Sequence, residues 1–157
     1  GDERRRRRRR SREREDPGVT ASETLARYIA ATNTHDFDEV QQLLDASAVY
    51  YFGDATCTGL AAVRAYFERT WALIPDEEYG AEDITWVVDA ADAAVAVYTY
   101  RWSGHIDGQT RSGSGRATNV FHRTDSGWRL VHEHLSAGPA EDAGAGSDGD
   151  DICHSDR

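Results

Sequence analysis

The chain has no lysine, no methionine and only two cysteines, and it contains no long apolar run. A bilayer-spanning helix needs about 20 mostly apolar residues, so no transmembrane segment is predicted. No apolar stretch follows the basic N-terminal sequence, so we expect no secretory signal peptide and a cytoplasmic location. Cys57 and Cys153 are too few for a disulfide framework or a four-cysteine zinc site.

Charge is unevenly distributed along the 157 residues, whose net charge is −10. Residues 1–16 hold nine arginines and five acidic residues, residues 17–136 hold eight and seventeen, and residues 137–157 hold one and six. Segments with charge and little apolar content do not fold alone. The sequence therefore predicts three parts, which are a disordered Arg-rich arm at 1–18, one folded domain at 19–137 and a disordered acidic tail at 138–157.

The terminal segments allow two functional interpretations. The arm could tether the chain to a nucleic acid or an anionic membrane, but its own acids and the acidic domain compete for the arginines. Cys153 and His154, near two aspartates, could form a metal cluster, but a flexible tail does not preorganise ligands. We therefore expect neither a nucleic acid nor a membrane as partner, and no metal.

Three helices are predicted before the middle of the chain. Thr20 and Glu23 form a capping box, and Asp36 with Glu39 marks a second helix start, with Leu43 and Leu44 on its apolar face. A third helix follows Gly59 and ends at Pro75. A short strand is predicted at 49–52, between the second and the third helix.

Beyond Pro75 the apolar period becomes two, which predicts strands at 81–88, 93–105, 110–122 and 128–136. Three helices followed by an antiparallel meander indicate an α+β fold. We expect a cone-shaped barrel, in which a curved antiparallel sheet wraps on the three N-terminal helices and leaves a cavity.

This layout resembles the nuclear transport factor 2-like superfamily, above all its SnoaL-like proteins and the association domain of calcium/calmodulin-dependent protein kinase II. The resemblance covers about residues 20–137. The segments that carry it are Tyr28–Asn33 with Asp36–Asp38, Gly59–Phe67, Gly115–Thr118 and Gly127–Ser136. The superfamily contains both enzymes and non-enzymes, so its fold does not decide function.

One possible mechanism is that of the ketosteroid isomerases in this superfamily, whose catalytic residues can be matched to positions of this sequence. Those enzymes use a carboxylate base with a tyrosine and a protonated aspartate as donors. The tyrosine matches Tyr28, whereas the base falls on Tyr51 and the second acid on Asn119. Because a tyrosine is a poor base at neutral pH, the isomerase mechanism is not carried over. Tyr28 is predicted to be a hydroxyl donor or, alternatively, a core tyrosine.

The last strand offers different catalytic candidates. Strict alternation places His132 and His134 on one face with Trp128 and Leu130, and Glu133 on the opposite face. Two histidines facing the cavity could act as general bases or bind an anion, and the alternative is that they only structure the sheet.

A metal is a further alternative for the two histidines. It would need a third ligand, His122 or Asp54, which the spacing does not require, so no metal or cofactor is predicted.

Charged and aromatic residues on the strands complete the predicted site. An arginine in an apolar strand needs a carboxylate partner, and for Arg101 and Arg116 this could be Glu133, if its face is buried, or a ligand carboxylate, with a cross-strand salt bridge as the alternative for Arg116. The predicted ligand-binding residues are Arg101, Arg116, Trp71, Tyr51 and Thr118.

Residues 93–105 are apolar on both faces, which predicts that a second copy of the chain covers the outer one. The predicted function is binding of a small hydrophobic, carbonyl- or carboxylate-bearing ligand by a homodimer. Proton transfer of the isomerase, cyclase or dehydratase type would involve His132, His134 and Tyr28. The alternative is a non-catalytic oligomerisation module.

Overall fold

A computed structural model describes residues 18–139. The predicted arm at 1–18 and tail at 138–157 lie outside the described residues, apart from Gly18, Gly138 and Pro139. Three helices and six strands follow one another as α1 (Ala21–Asn33), α2 (Phe37–Gln41), β1 (Leu44–Tyr51), β2 (Thr56–Thr58), α3 (Leu60–Leu73), β3 (Glu78–Asp89), β4 (Ala93–Ile106), β5 (Gln109–Thr124) and β6 (Gly127–Ala137). No helix within residues 18–139 is long and apolar enough to cross a bilayer.

The helices begin where their capping residues predict. The Thr20 hydroxyl accepts a hydrogen bond from the backbone N–H of Glu23 at 3.1 Å, and the Asp36 carboxylate caps α2 in the same way. Gly59 precedes α3 with a φ of +83°, a conformation that side-chain-bearing residues rarely adopt.

The second helix is shorter than predicted. It ends at Gln41, and Leu44 begins β1 instead of continuing the apolar helix face. The backbone N–H of Leu130 donates to the Leu43 carbonyl at 2.8 Å, because β6 pairs beside this segment. Pairing in the sheet therefore places Leu44 in a strand, although local periodicity predicted a helix there.

The six strands form one sheet in the order β2-β1-β6-β5-β4-β3. The predicted α+β architecture, with a curved sheet packed on three helices, is confirmed. Two details differ from the prediction. The pair of β1 and β6 is parallel, and the sheet is not closed into a barrel because β2 and β3 lie at its two edges.

The sheet has two distinct faces. The inner face contacts the helices, and on β4 it carries Tyr98, Tyr100 and Trp102, each at most 5% exposed. The outer face carries residues such as Val95 and Val97, which are half-buried. Strand β4 therefore has apolar residues on both faces, as its sequence predicted.

A β-bulge in β6 changes which side chains face inward. Phe121 of β5 pairs with Leu130, but the preceding Val120 pairs with His132, so Val131 is an extra residue in β6. Leu130 is buried before the bulge, and Glu133 is buried after it. The alternation of β6 is thereby shifted by one residue at the centre of the sheet.

The end of α1 is fixed to the start of β3 by side-chain bonds. The Asn33 amide nitrogen donates to the Tyr79 carbonyl at 2.8 Å, and its oxygen accepts from the Tyr79 N–H at 2.7 Å. His35 stacks on Trp71 with ring centroids 5.2 Å apart. This corner holds the first helix against the inner face.

Candidate functional site

A cluster of four polar side chains lies buried between α1 and the inner face of the sheet. We call Tyr28, Tyr50, Asn119 and Glu133 the polar cluster, and none of the four is more than 1% exposed. The Glu133 Oε1 accepts hydrogen bonds of 3.0 Å from the Tyr28 hydroxyl and from the Asn119 side-chain nitrogen. A carboxyl group therefore lies in the core with neutral hydrogen-bond donors around it.

Strand register assembles the polar cluster. Glu133 on β6 lies opposite Tyr50 on β1 and opposite Asn119 on β5, so the three residues form one row across the sheet. Tyr28 reaches the row from α1, on which it belongs to the buried face. Each residue comes from a different element, so the cluster exists only in the folded domain.

The two tyrosine hydroxyls donate their hydrogen bonds in the same direction, toward Glu133. Tyr28 and Tyr50 have their hydroxyl oxygens 2.9 Å apart, and Tyr28 donates its single proton to Glu133. The bond between the tyrosines must therefore be donated by Tyr50. In the chain from Tyr50 through Tyr28 to Glu133, Tyr50 donates to Tyr28 and Tyr28 alone of the two tyrosines donates to the carboxylate.

The Tyr28 hydroxyl stays protonated at neutral pH. Burial raises the pKa of Tyr28 well above its ordinary value, and the nearby Glu133 carboxylate raises it further. Tyr28 is therefore a hydrogen-bond donor in this cluster and not a base. Of the four members, Glu133 is the one that can accept a proton.

Aromatic side chains surround the polar cluster on the inner face. Tyr79 and Tyr100 stack with ring centroids 6.1 Å apart, and the Phe67 ring lies 5.9 Å from the Tyr50 ring, edge to face. Such surroundings suit an apolar or aromatic molecule better than a highly charged one.

The predicted histidine pair lies on the outer face, away from this cluster. Because of the bulge at Val131, His132 is half-buried and His134 is exposed, so the prediction that both share the buried face of Trp128 is wrong. The His132 Nδ1 donates to the Val49 carbonyl at 2.7 Å, and the Tyr51 ring contacts both imidazoles in T-shaped geometry.

Comparison with protein families matches residues 21–141 to the SnoaL-like domain. The chain belongs to the SnoaL-like domain family. Comparison with curated protein sequences finds no match.

Solved structures share the fold of this SnoaL-like domain. An NTF2-like superfamily protein from Salmonella enterica serovar Typhimurium is 21% identical, with a TM-score of 0.70 over 80% of this chain and 93% of that one. A candidate calcium/calmodulin-dependent protein kinase II association domain from Xanthomonas campestris is 20% identical, with a TM-score of 0.66 over 78% and 91%. A candidate dehydratase of the NTF2-like family from Streptomyces avermitilis is 20% identical, with a TM-score of 0.67 over 77% and 95%.

The two predicted arginines are also on the outer face of the SnoaL-like domain. Arg101 forms an ion pair with Glu82 on the neighbouring strand, with both side chains at least half exposed. Arg116 is exposed, opposite Thr99 and Ser136. The prediction that these arginines pair with Glu133 is wrong, because Glu133 points to the inner face.

Arg101 instead borders a surface groove. The groove has a volume of about 720 Å³ and lies where β3, β4 and β5 run side by side. Its exposed polar lining includes Glu78, Ser103 and Ser114.

The remaining predicted ligand contacts are divided between the two faces. Tyr51 is 44% exposed on the outer face and lies opposite His134, and Thr118 lies opposite the same histidine on its other side. Trp71 is buried among the core aromatics, where its ring meets Phe67 edge to face. Only Tyr28 among the predicted site residues belongs to the polar cluster.

The described residues do not form a metal-binding site. Within residues 18–139 no three His, Cys, Asp or Glu side chains come together as a metal site would require. Asp54, one possible third ligand, accepts a hydrogen bond from the Tyr66 hydroxyl at 2.8 Å. The other, His122, is exposed on the outer face, and Cys153 and His154, which the sequence does not favour as metal ligands, lie outside the described residues.

Sequence reasoning missed Glu133 and Asn119 as members of one site. A signal was present, because each lies two positions from buried apolar residues, Leu135 in one strand and Ala117 and Phe121 in the other. A polar side chain in a row of buried apolar ones needs a partner, and here the two are each other's partners.

Proposed function

We propose that the SnoaL-like domain binds a small, mainly apolar ligand with a carbonyl group at the polar cluster, and that Glu133 accepts a proton from it. The observation that carries this proposal is the fully buried Glu133 carboxyl, hydrogen-bonded to Tyr28 and Asn119. A carboxyl group in the core costs free energy when charged, so its presence needs a reason. Buried titratable groups are enriched at catalytic sites.

Charge favours a carbonyl over a carboxylate in the ligand. Both predicted arginines lie on the outer face, and the Glu133 side chain is acidic, so a ligand carboxylate would meet a like charge. A neutral carbonyl oxygen needs only a hydrogen-bond donor, which Tyr28 supplies. The carbonyl-bearing part of the predicted ligand class is therefore retained here.

The proposed step is abstraction of a proton from the carbon next to the carbonyl. The proton moves to the Glu133 carboxylate, and the electron pair of the broken C–H bond forms the enolate. Once protonated, Glu133 competes less for the Tyr28 hydroxyl, which can then donate to the enolate oxygen. Return of a proton from Glu133 to carbon or oxygen regenerates the carboxylate. The dehydratase name of one structural neighbour, from Streptomyces avermitilis, is compatible with such proton transfer.

Proton exchange of 2-tetralone in D₂O tests the chemical step without knowledge of the natural substrate. We expect the protein to accelerate replacement of the α-protons by deuterium, as followed by NMR, and Glu133→Gln to lose about a hundredfold or more of this acceleration. The matched control is Glu78→Gln, which removes an exposed carboxylate. Equal exchange rates for wild type and Glu133→Gln would show that Glu133 is not the base.

The outer face favours a second function, assembly with a second copy of the chain. A row of four valines and one histidine continues across five neighbouring strands, through Val88, Val95, Val120, His132 and Val49. Val88 is 41% exposed and Tyr51 44% exposed. A second copy would present the same valine-rich row, so the two apolar surfaces could cover each other. The association-domain name of the Xanthomonas campestris neighbour supports this candidate.

Light scattering after size exclusion tests assembly on this face. If the proposal is correct, the wild type elutes as a dimer and Val97→Glu as a monomer with unchanged circular dichroism. The matched control is Ala72→Glu, which adds the same charge to an exposed position of α3. A wild-type monomer, or a Val97→Glu dimer, would rule out the outer face as the interface.

A further inference from the structure

The Asn119 side chain has one satisfied end and one unsatisfied end. Its nitrogen donates to Glu133 at 3.0 Å, whereas its Oδ1, fully buried, accepts no hydrogen bond from any residue between 18 and 139. Leaving a buried acceptor without a donor is costly, and such groups are rare in folded proteins. A buried acceptor of this kind next to a buried carboxyl group calls for a donor from outside the chain.

The orientation of the Asn119 amide is fixed by its neighbour. If the nitrogen and oxygen exchanged places, Oδ1 would face the Glu133 Oε1, and two acceptors would be in contact. The hydrogen-bonding arrangement therefore keeps the nitrogen on Glu133 and the oxygen unsatisfied. The polar cluster thus presents two neighbouring acceptors, the Asn119 Oδ1 and the Glu133 carboxylate.

We infer that the ligand is a neutral carbonyl compound that also has a hydroxyl group, such as a hydroxyketone or a diketone in its enol form, and that this hydroxyl donates to the Asn119 Oδ1. This inference rests on the proposed ligand site at the polar cluster and makes its substrate class narrower. Asn119 is then a specificity-determining residue. It holds Glu133 through its nitrogen and selects the substrate through its oxygen.

Ligands that share a carbon skeleton should differ in affinity according to whether they have a hydroxyl group that can donate to the Asn119 Oδ1. A site built to accept a hydrogen bond is left with a buried, unsatisfied oxygen when the ligand lacks the donor. That loss corresponds to about tenfold or more in affinity. A carboxylate on the same skeleton should bind more weakly still, because it brings an acceptor and a negative charge to two acceptors.

The test compares 2-naphthol, 2-methoxynaphthalene and 2-naphthoate as probes for the full chain at pH 7. Titrations are followed by ¹H–¹⁵N NMR, which detects weak binding and reports on the Asn119 side-chain amide. We expect 2-naphthol to bind about tenfold or more tightly than 2-methoxynaphthalene, 2-naphthoate to bind most weakly, and the Asn119 amide signals to shift with 2-naphthol.

The variant Asn119→Leu should remove the preference for 2-naphthol over 2-methoxynaphthalene. The matched control Thr99→Val, which removes a hydroxyl from the outer face of the sheet, should keep it. The wild-type comparison stands even if Asn119→Leu folds poorly.

Three outcomes would overturn part or all of the inference. Equal affinities of the wild type for 2-naphthol and 2-methoxynaphthalene, with shifts at the polar cluster, would overturn the hydroxyl inference and leave the proposed ligand site intact. A preference that persists in folded Asn119→Leu would remove Asn119 as its source. Absence of shifts at the polar cluster with all three probes would overturn the proposed ligand site, and the inference with it.

Discussion

The Tyr28 hydroxyl on the first helix donates a 3.0 Å hydrogen bond to the Glu133 carboxylate on the last strand. The two residues are 105 positions apart in sequence, and both are almost completely buried. This bond joins the helical layer to the centre of the sheet. It also gives the buried carboxylate a donor that is neutral at all physiological pH values.

Removing this donor should destabilise the fold. We expect Tyr28→Phe to lower the free energy of unfolding by about 1–3 kcal/mol, because Glu133 stays buried with one donor fewer. Urea denaturation at pH 7 measures the change. The matched control is Tyr51→Phe on the outer face, where loss of an exposed hydroxyl should change stability by less than about 0.5 kcal/mol. Equal effects of the two substitutions would show that the bond contributes nothing.

Replacing His132 should destabilise the protein more than replacing His134, whereas neither substitution should affect ligand binding. His132→Ala removes the bond to the Val49 carbonyl and should cost about 0.5–1.5 kcal/mol, whereas His134→Ala should cost less than about 0.5 kcal/mol. Neither substitution should alter 2-naphthol binding, since both side chains are on the outer face. Loss of binding in His134→Ala would contradict the placement of the site on the inner face.

Close packing at Gly115 should make this position intolerant of a side chain. A Cβ atom there would overlap the Ser136 carbonyl oxygen and the Tyr100 ring. Gly115→Ala should therefore cost about 1–3 kcal/mol in thermal or urea denaturation. Gly80→Ala is the matched control, because a Cβ on that strand residue meets no atom within 4 Å. A neutral Gly115→Ala would mean that β5 and β6 separate there easily.

Asp76 should make stability depend on pH in the acid range. Hydrogen bonds from the His105 side chain and backbone lower the pKa of Asp76 below its ordinary value of about 4. A group with a lowered folded-state pKa stabilises the fold above its unfolded-state value, and this contribution is lost as the pH falls through the folded value. The urea midpoint of the wild type should therefore exceed that of Asp76→Asn at pH 5–6, and the difference should shrink below about pH 4. A constant difference from pH 6 to pH 2.5 would contradict the pairing.

Local sequence patterns predicted the helices and strands well where an element depends only on its own residues. Thr20 and Asp36 cap helices because their side-chain oxygens bond to the next turn of backbone, which is a property of a few adjacent residues. Strand β4 alternates without interruption, so its two faces followed from period two alone. The three-residue β2 and the parallel pairing of β1 were not predicted, because they depend on contacts with distant strands.

The site was placed on the wrong face of the sheet because one extra residue in β6 reversed which side chains point inward. Alternation counted from Trp128 places His132 inward, but the extra residue Val131 makes Glu133 the inward side chain. A bulge is a property of two paired strands and has no signature in one of them. The same limit applies to Arg101, whose partner Glu82 was set by register with β3.

The position of β6 within the sheet constrains the order in which the domain is made. As the ribosome releases the chain, β1 with β2 and the meander of β3, β4 and β5 emerge as two separate pieces, since β6 alone connects them in the strand order. The two pieces cannot become one continuous sheet until residues 127–137 pair with β1 on one side and β5 on the other. We therefore expect a chain that ends before Gly127 to expose the unpaired edges of β1 and β5 and to be prone to aggregation.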